Sequence, residues 1–255
     1  MKSIAAAAFL ALLASHAAVS QVRSISAIAL DCWTVEREDG QDGLGLSAEE
    51  TLILGASEKL SLIAKGRYAS PSTALPYGGF GAGLSYAFSP GVYADLAASA
   101  SWNTRDGDFM GELESSFNIE RERLYTGARE QLRFGPSSFV ALSGVFAKYR
   151  TLEWLSLWTS YILGYESGIG LDHSIWAYAE LDLASAWSAT AGGTAASFHR
   201  PGGEDPAIGE AYSAIAGADW RPTSKLALKY RFEYFFGDRN EGKTAHALVV
   251  DARSR

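Results

Sequence analysis

The chain is poor in the residue types that build reactive centres. One cysteine, Cys32, stands among 255 residues, with four histidines. A lone cysteine excludes an intramolecular disulfide framework. Nor does it read as a lipid-attachment site, because Asp31 takes the place of the small residue expected in Ala29-Leu30-Asp31-Cys32, well beyond the opening apolar run. After residue 20 the histidines are His173, His199 and His246, too scattered for a metal-ligand spacing. Nothing matches G-x-S-x-G, and no cofactor is predicted. Long apolar runs are missing too: beyond residue 20 no stretch approaches the roughly 18 uninterrupted apolar residues of a spanning helix. Positive charge is in deficit, with 22 basic against 29 acidic residues. That balance argues against a nucleic-acid partner held through phosphates.

What is present begins with a leader. Met1-Lys2-Ser3-Ile4 supplies one positive charge, residues 5–14 contain only Ala, Phe and Leu, and Ser15-His16-Ala17-Ala18-Val19-Ser20 supplies small residues. This is the layout of a secretory signal peptide over 1–20, cleaved between Ala17 and Ser20, with one domain over 21–255. Losing Lys2 leaves 21 minus 29, a net charge of −8.

The second feature is a period of two. Phe109, Gly111, Leu113, Ser115, Phe117 and Ile119 form one face of a segment whose other face is Met110, Glu112, Glu114, Ser116, Asn118 and Glu120. Val92 to Trp102 and Leu226 to Phe236 repeat the contrast. A helix would mix these faces; a strand separates them. Similar segments fall at 26–36, 43–55, 59–69, 77–89, 91–104, 108–121, 123–135, 138–149, 153–166, 173–186, 188–199, 209–221, 225–237 and 244–254. Segment 188–199 has the least facial contrast. The connections alternate in length, apart from two members of the longer set, around Asp106-Gly107 and Gly135-Pro136-Ser137, that are short. Those near residues 55–58, 89–91, 121–123, 150–152, 187–188 and 221–224 are short, whereas 37–42, 70–76, 167–172, 200–208 and 238–243 are longer and rich in Gly, Pro and charge. Aromatic residues gather beside the short turns: Tyr86, Phe88 and Tyr93 at one, Trp187 at another, Trp220 before a third.

In these features the chain resembles the broad class of bacterial outer-membrane β-barrel proteins, over nearly its whole length after the leader. The resemblance implies an all-β, closed, antiparallel up-and-down transmembrane barrel of about 14 strands (range 12–14), with short periplasmic turns, longer external loops and aromatic girdles. It also implies export to the outer membrane, both termini on the periplasmic side, and outer-membrane lipid and the barrel assembly machinery as partners. Such barrels usually end in an aromatic residue; this chain ends Val249-Val250-Asp251-Ala252-Arg253-Ser254-Arg255.

Inside such a barrel the polar faces line the lumen. The candidate lining residues are Lys65, Arg67, Asp95, Glu112, Glu114, Arg129, Arg133, Glu180, Asp182, Asp219, Lys229, Arg231 and Glu233. Glu112 and Glu114 are expected to face Arg129 and Arg133, and Lys229 and Arg231 to face Asp219 or Asp251. Lumen ion pairs tying the wall together are favoured over a charge filter, because buried charges need partners. Gly78-Gly79-Phe80-Gly81-Ala82-Gly83 has no helix after it to make a phosphate loop, and reads as a small-residue stripe on the lumen side. Glu130 falls on the outward face between Ala128 and Leu132, an expensive place for a carboxylate, and is read as a bulge, a register change or a contact between protomers.

The expected function is a passive pore or solute channel with a mixed-charge lumen, passing small solutes and not an enzyme. The alternative is a structural or surface-interaction barrel with a closed, salt-bridged lumen and contacts through loops 200–208 and 238–243. An omptin-like enzyme stands well behind both, since the adjacent Asp172 and His173 point to opposite faces of a strand.

Overall fold

The structure, a computed structural model, describes residues 22–34, 43–70, 77–103, 108–136, 138–168, 170–199, 208–236 and 243–253. The leader and most of the longer loops, including 200–207 and 237–242, lie outside these residues, and with them the partner-contact expectation. Among the described residues fourteen strands run in chain order: β1 Val22–Thr34, β2 Gly43–Gly55, β3 Leu60–Ser70, β4 Tyr77–Ser89, β5 Val92–Asn103, β6 Phe109–Glu120 and β7 Leu124–Phe134, then β8 Phe139–Leu152, β9 Leu155–Glu166, β10 Gly170–Ala184, β11 Trp187–His199, β12 Ile208–Thr223, β13 Leu226–Phe236 and β14 Lys243–Arg253. Each pairs antiparallel with its chain neighbours. β14 also pairs with β1, from Ile25 opposite Arg253 to Thr34 opposite Thr244, which closes the barrel. The last strand is therefore held on both sides.

Exposure along β6 explains why the sheet closes this way. Phe109, Leu113 and Phe117 are exposed while Glu112 and Asn118 are buried. The same inversion holds around the wall. Leu62, Phe80, Leu84, Leu96, Val145, Leu163 and Ile175 face outward, and the buried apolar residues among those described are only Ala69 and Ile215. Against them stand the buried polar Ser101, Glu112, Asn118, Ser156, Ser188, Ser213 and Glu233. Such a band of exposed large apolar side chains marks a surface that meets a membrane or another protein.

Strand boundaries differ from the sequence reading by up to four residues. β1 begins four residues before the expected 26–36 segment. The expected 167–172 loop is shorter than read, since β10 already starts at Gly170, opposite Glu166 at the end of β9. Gly168 and Gly170 adopt φ of +82° and +124°, values that residues with side chains rarely adopt, which suits glycine to this short connection. The weakly patterned 188–199 segment forms the full strand β11, in register with β10 and β12.

The two rims differ. Register irregularities occur at Ala87/Ser89, Arg150/Leu152, Asp182/Ala184 and Trp220/Thr223, all beside short turns, where bulges help a barrel rim turn its strands. β1 begins and β14 ends on that same rim, as an even strand number requires. Trp187 and Trp220 stack outside it with ring centroids 5.8 Å apart. Tyr86 and Phe88 are also outside, at 5.1 Å. Tyr93 departs from the expected girdle: it shares the parity of Asp95 and pairs with buried Asn118, so it faces the interior.

Candidate functional site

The site is the inner wall. Strand parity and register place the thirteen predicted lining residues on this face, but the partners they select are only partly the expected ones. Arg133 Nε donates to Glu112 Oε2 at 3.0 Å, as expected between neighbouring strands. Glu114 instead meets Lys65 of β3 at 3.1 Å and accepts from Gln131 Nε2 at 3.3 Å. Arg67 of β3 reaches Glu112 at 3.6 Å, so this carboxylate, with its side chain 3 % exposed, lies between two guanidinium groups. Arg129, expected opposite these acids, enters no salt bridge among the described residues; its register neighbours are Ser116 and Gly144.

These contacts pass over β4 and β5. The inward residues of β4 include Gly79, Gly81 and Gly83, facing Ser101, Ser99 and Ala97 of β5. A Cβ on Gly81 would come within 2.8 Å of the Ser99 Cβ, and one on Gly83 within 2.8 Å of the Ala97 Cβ. The small-residue stripe thus lets the two strands curve tightly and leaves room above them for longer side chains. A cavity of about 50 Å³ lies here, lined by Glu49, Lys65, Arg67, Gly81, Ser99, Glu112 and Glu114 among others.

The opposite wall has its own pairs. Lys148 of β8 donates to Glu180 of β10 at 2.7 Å, across β9. Arg221 lies 3.4 Å from Asp219 and 3.7 Å from Glu180. Lys229 pairs with Asp251 at 2.5 Å rather than with Asp219 directly opposite it, and Arg231 pairs with Glu233 on its own strand at 3.1 Å. Ser213 Oγ donates to Glu233 at 2.5 Å. Asp95 accepts from Ser116 at 2.9 Å and from Asn118 at 3.4 Å. Asp182, exposed, sits at the short-turn end opposite Ser188.

An inward aromatic arc escaped the sequence reading. Phe146 and Tyr125 lie 5.1 Å apart, Tyr125 and Trp158 6.3 Å, and Trp158 and Tyr178 5.5 Å in a near-parallel stack at 15°. The Lys148 ammonium sits 5.0 Å from the Trp158 ring centre, and Trp176 is covered by Arg231 at 5.2 Å. The signal was available: Tyr125, Trp158 and Tyr178 share parity with Arg129, Ser160 and Glu180. Aromatic residues are so natural to an outer girdle that their parity is easily overlooked.

Glu130 is outward and exposed, as its parity requires. The β6–β7 and β7–β8 registers run without interruption past it, so neither a bulge nor a register change explains it. Ser143 Oγ donates to Glu130 Oε2 at 2.6 Å, and Ser115 stands opposite on β6. Glu50 is a second carboxylate of outward parity, unmarked in the sequence reading, but only 5 % exposed and engaged with neighbours. Asp172 is on the inner face and His173 on the outer one, where it meets the Tyr161 ring edge-on at 6.2 Å. Among the described residues no group of three or more His, Cys, Asp or Glu is arranged to hold a metal ion.

No family model and no curated protein matches the chain. Solved structures do. A loop-deletion form of OmpT, an outer membrane protein of Vibrio cholerae, superposes with a TM-score of 0.57 at 11% identity, over 91% of this chain and 99% of that one. The KdgM porin in complex with oligogalacturonate gives 0.52 at 9% identity over 90% and 98%. Salmonella typhi OmpF in complex with daunomycin gives 0.53 at 9% identity over 91% and 97%. With its closed fourteen-stranded sheet, apolar outside and charged inside, the chain has the fold of bacterial outer-membrane β-barrel proteins.

Proposed function

We propose that the protein spans the bacterial outer membrane as a passive, non-enzymatic channel for small solutes. The observation that carries this reading is the inversion of the wall, with exposed aliphatic and aromatic residues outside and ionised side chains inside. The outer face matches hydrocarbon and the inner face water. Fourteen strands lie between eight-stranded barrels filled by side chains and sixteen-stranded open porins. The rim of short turns, with both termini, faces the periplasm. The solute complexes of the KdgM porin and of OmpF, barrels of this fold, support the same reading.

Purified, folded protein in planar bilayers is expected to give reproducible single-channel steps. Their absence from properly folded protein would overturn the channel reading and favour a closed, salt-bridged barrel with a structural role. His173→Ala is expected to leave conductance and folding unchanged, because His173 faces away from the lumen. Loss of a hydrolytic activity in that variant would instead identify an enzyme.

A further inference from the structure

The aromatic arc has no counterpart among the requirements of the fold. A water-facing wall gains nothing from exposing rings to its lumen, and departures from the inside/outside pattern that folding favours are expected at functional positions. Part of the arc does have a packing reason. A Cβ on Gly127 would come within 2.8 Å of the Phe146 ring, so this ring covers a position where the neighbouring strand lacks a side chain. Tyr125, Trp158 and Trp176 cover no glycine in this way.

Their surroundings describe the ligand. Trp158 acts as a fixed post: its Nε1 donates to Glu180 Oε2 at 3.2 Å, Tyr178 stacks on its ring and Lys148 sits beside it. Tyr125 stands edge-on to it at 78°, with its hydroxyl donating to Asn118 Oδ1 at 3.2 Å. Tyr125, Phe146, Tyr178 and Trp176 all keep part of their surface open to the lumen. Ring surfaces beside fixed amide, ammonium and carboxylate groups suit a ligand with apolar ring faces and a hydroxyl-bearing periphery. Charge selects further. The cations in contact with the rings are each paired, Lys148 with Glu180 and Arg231 with Glu233, so the ring-lined stretch itself carries no excess positive charge to favour an acidic chain; Arg129 and Arg150, which enter no salt bridge among the described residues, stand beyond it, opposite Gly144 and Ser156.

We propose that the arc from Phe146 through Tyr125 and Trp158 to Tyr178, with Trp176, is a binding track for neutral oligosaccharides in the half of the lumen next to the short turns. As solute specificity this rests on the channel reading, but binding can be measured without conduction.

The test uses maltohexaose, with ring-free polyethylene glycol of similar mass as control, on full-length protein folded in a sugar-free detergent such as lauryldimethylamine oxide. Calorimetry is expected to show saturable binding of maltohexaose and none of the glycol. Trp158→Ala and, separately, Tyr125→Ala are expected to weaken binding about tenfold, the scale of one lost ring contact. Trp187→Ala, on the outer wall, is expected to leave it unchanged. Tyr125→Ala keeps the test open if Trp158→Ala fails to fold. In bilayers maltohexaose is expected to interrupt the current. Conductance with neither binding nor interruption overturns the track and leaves the channel standing. Binding without conductance, weakened by the same variants, upholds the track and overturns the channel. Binding that neither variant weakens places the sugar elsewhere and overturns the assignment.

Discussion

Lys65 on β3 meets Glu114 on β6 at 3.1 Å although two whole strands separate them in the wall. Strands in a sheet lie about 4.8 Å apart, so this contact needs tight curvature and a bare surface beneath it. Gly79, Gly81 and Gly83 meet both needs. Gly81→Val is expected to destabilise the barrel by about 1–3 kcal/mol, the usual cost of overpacking. Gly66→Val, where a Cβ would meet nothing within 4 Å, is expected to be close to neutral. Urea unfolding in lipid vesicles compares the two, and equal losses would contradict this account of the stripe.

Glu112 shares its single negative charge between two guanidinium groups. Glu112→Gln removes the charge but keeps the shape, leaving Arg67 and Arg133 uncompensated on the lumen wall. The expected result is a shift of ion selectivity toward anions, with a stability loss of about 3–5 kcal/mol at most, the range for breaking a buried pair. Reversal potentials in a salt gradient measure the first effect and urea unfolding the second. An unchanged reversal potential would show that this cluster lies outside the ion path.

Glu130 stands outward among Ala128, Leu132 and Val145, with Ser143 donating to it. In hydrocarbon a carboxylate is unfavourable, though less so than Lys or Arg. Glu130→Leu is expected to stabilise the folded barrel in a bilayer by about 1 kcal/mol. Unfolding titrations in vesicles report it. A marked loss of stability would show that the carboxylate is covered by another protein surface rather than by lipid.

Adjacent residues on β6 provide a direct check of sidedness. In a Cys32→Ala background, Glu112→Cys is expected to react with a water-soluble maleimide from the lumen and Leu113→Cys to resist it in membranes. Equal labelling would mean that the two faces are misassigned.

Much of this architecture was legible from residue types alone. The period of two in Phe109 to Glu120 separates Leu113 from Glu112, and the short turns at Pro90-Gly91 and Pro222-Thr223-Ser224 set the alternation of rims. Local steric and hydrophobic preferences act over a few residues, which is why they survive in the order of the letters. The turn at Gly168 to Gly170 was harder to see, because its charged neighbours resemble an extended loop.

What the amino-acid order determined by itself was a count of about fourteen strands and the inward parity of the charged side chains. The closed structure decided which of those side chains meet. Lys65 finds Glu114 rather than its nearest neighbours, Lys229 chooses Asp251 over Asp219, and the rings of Tyr125, Trp158 and Tyr178 gather into one arc. The physical reason is that parity depends on a single strand, whereas partnership depends on register and curvature summed around the whole barrel.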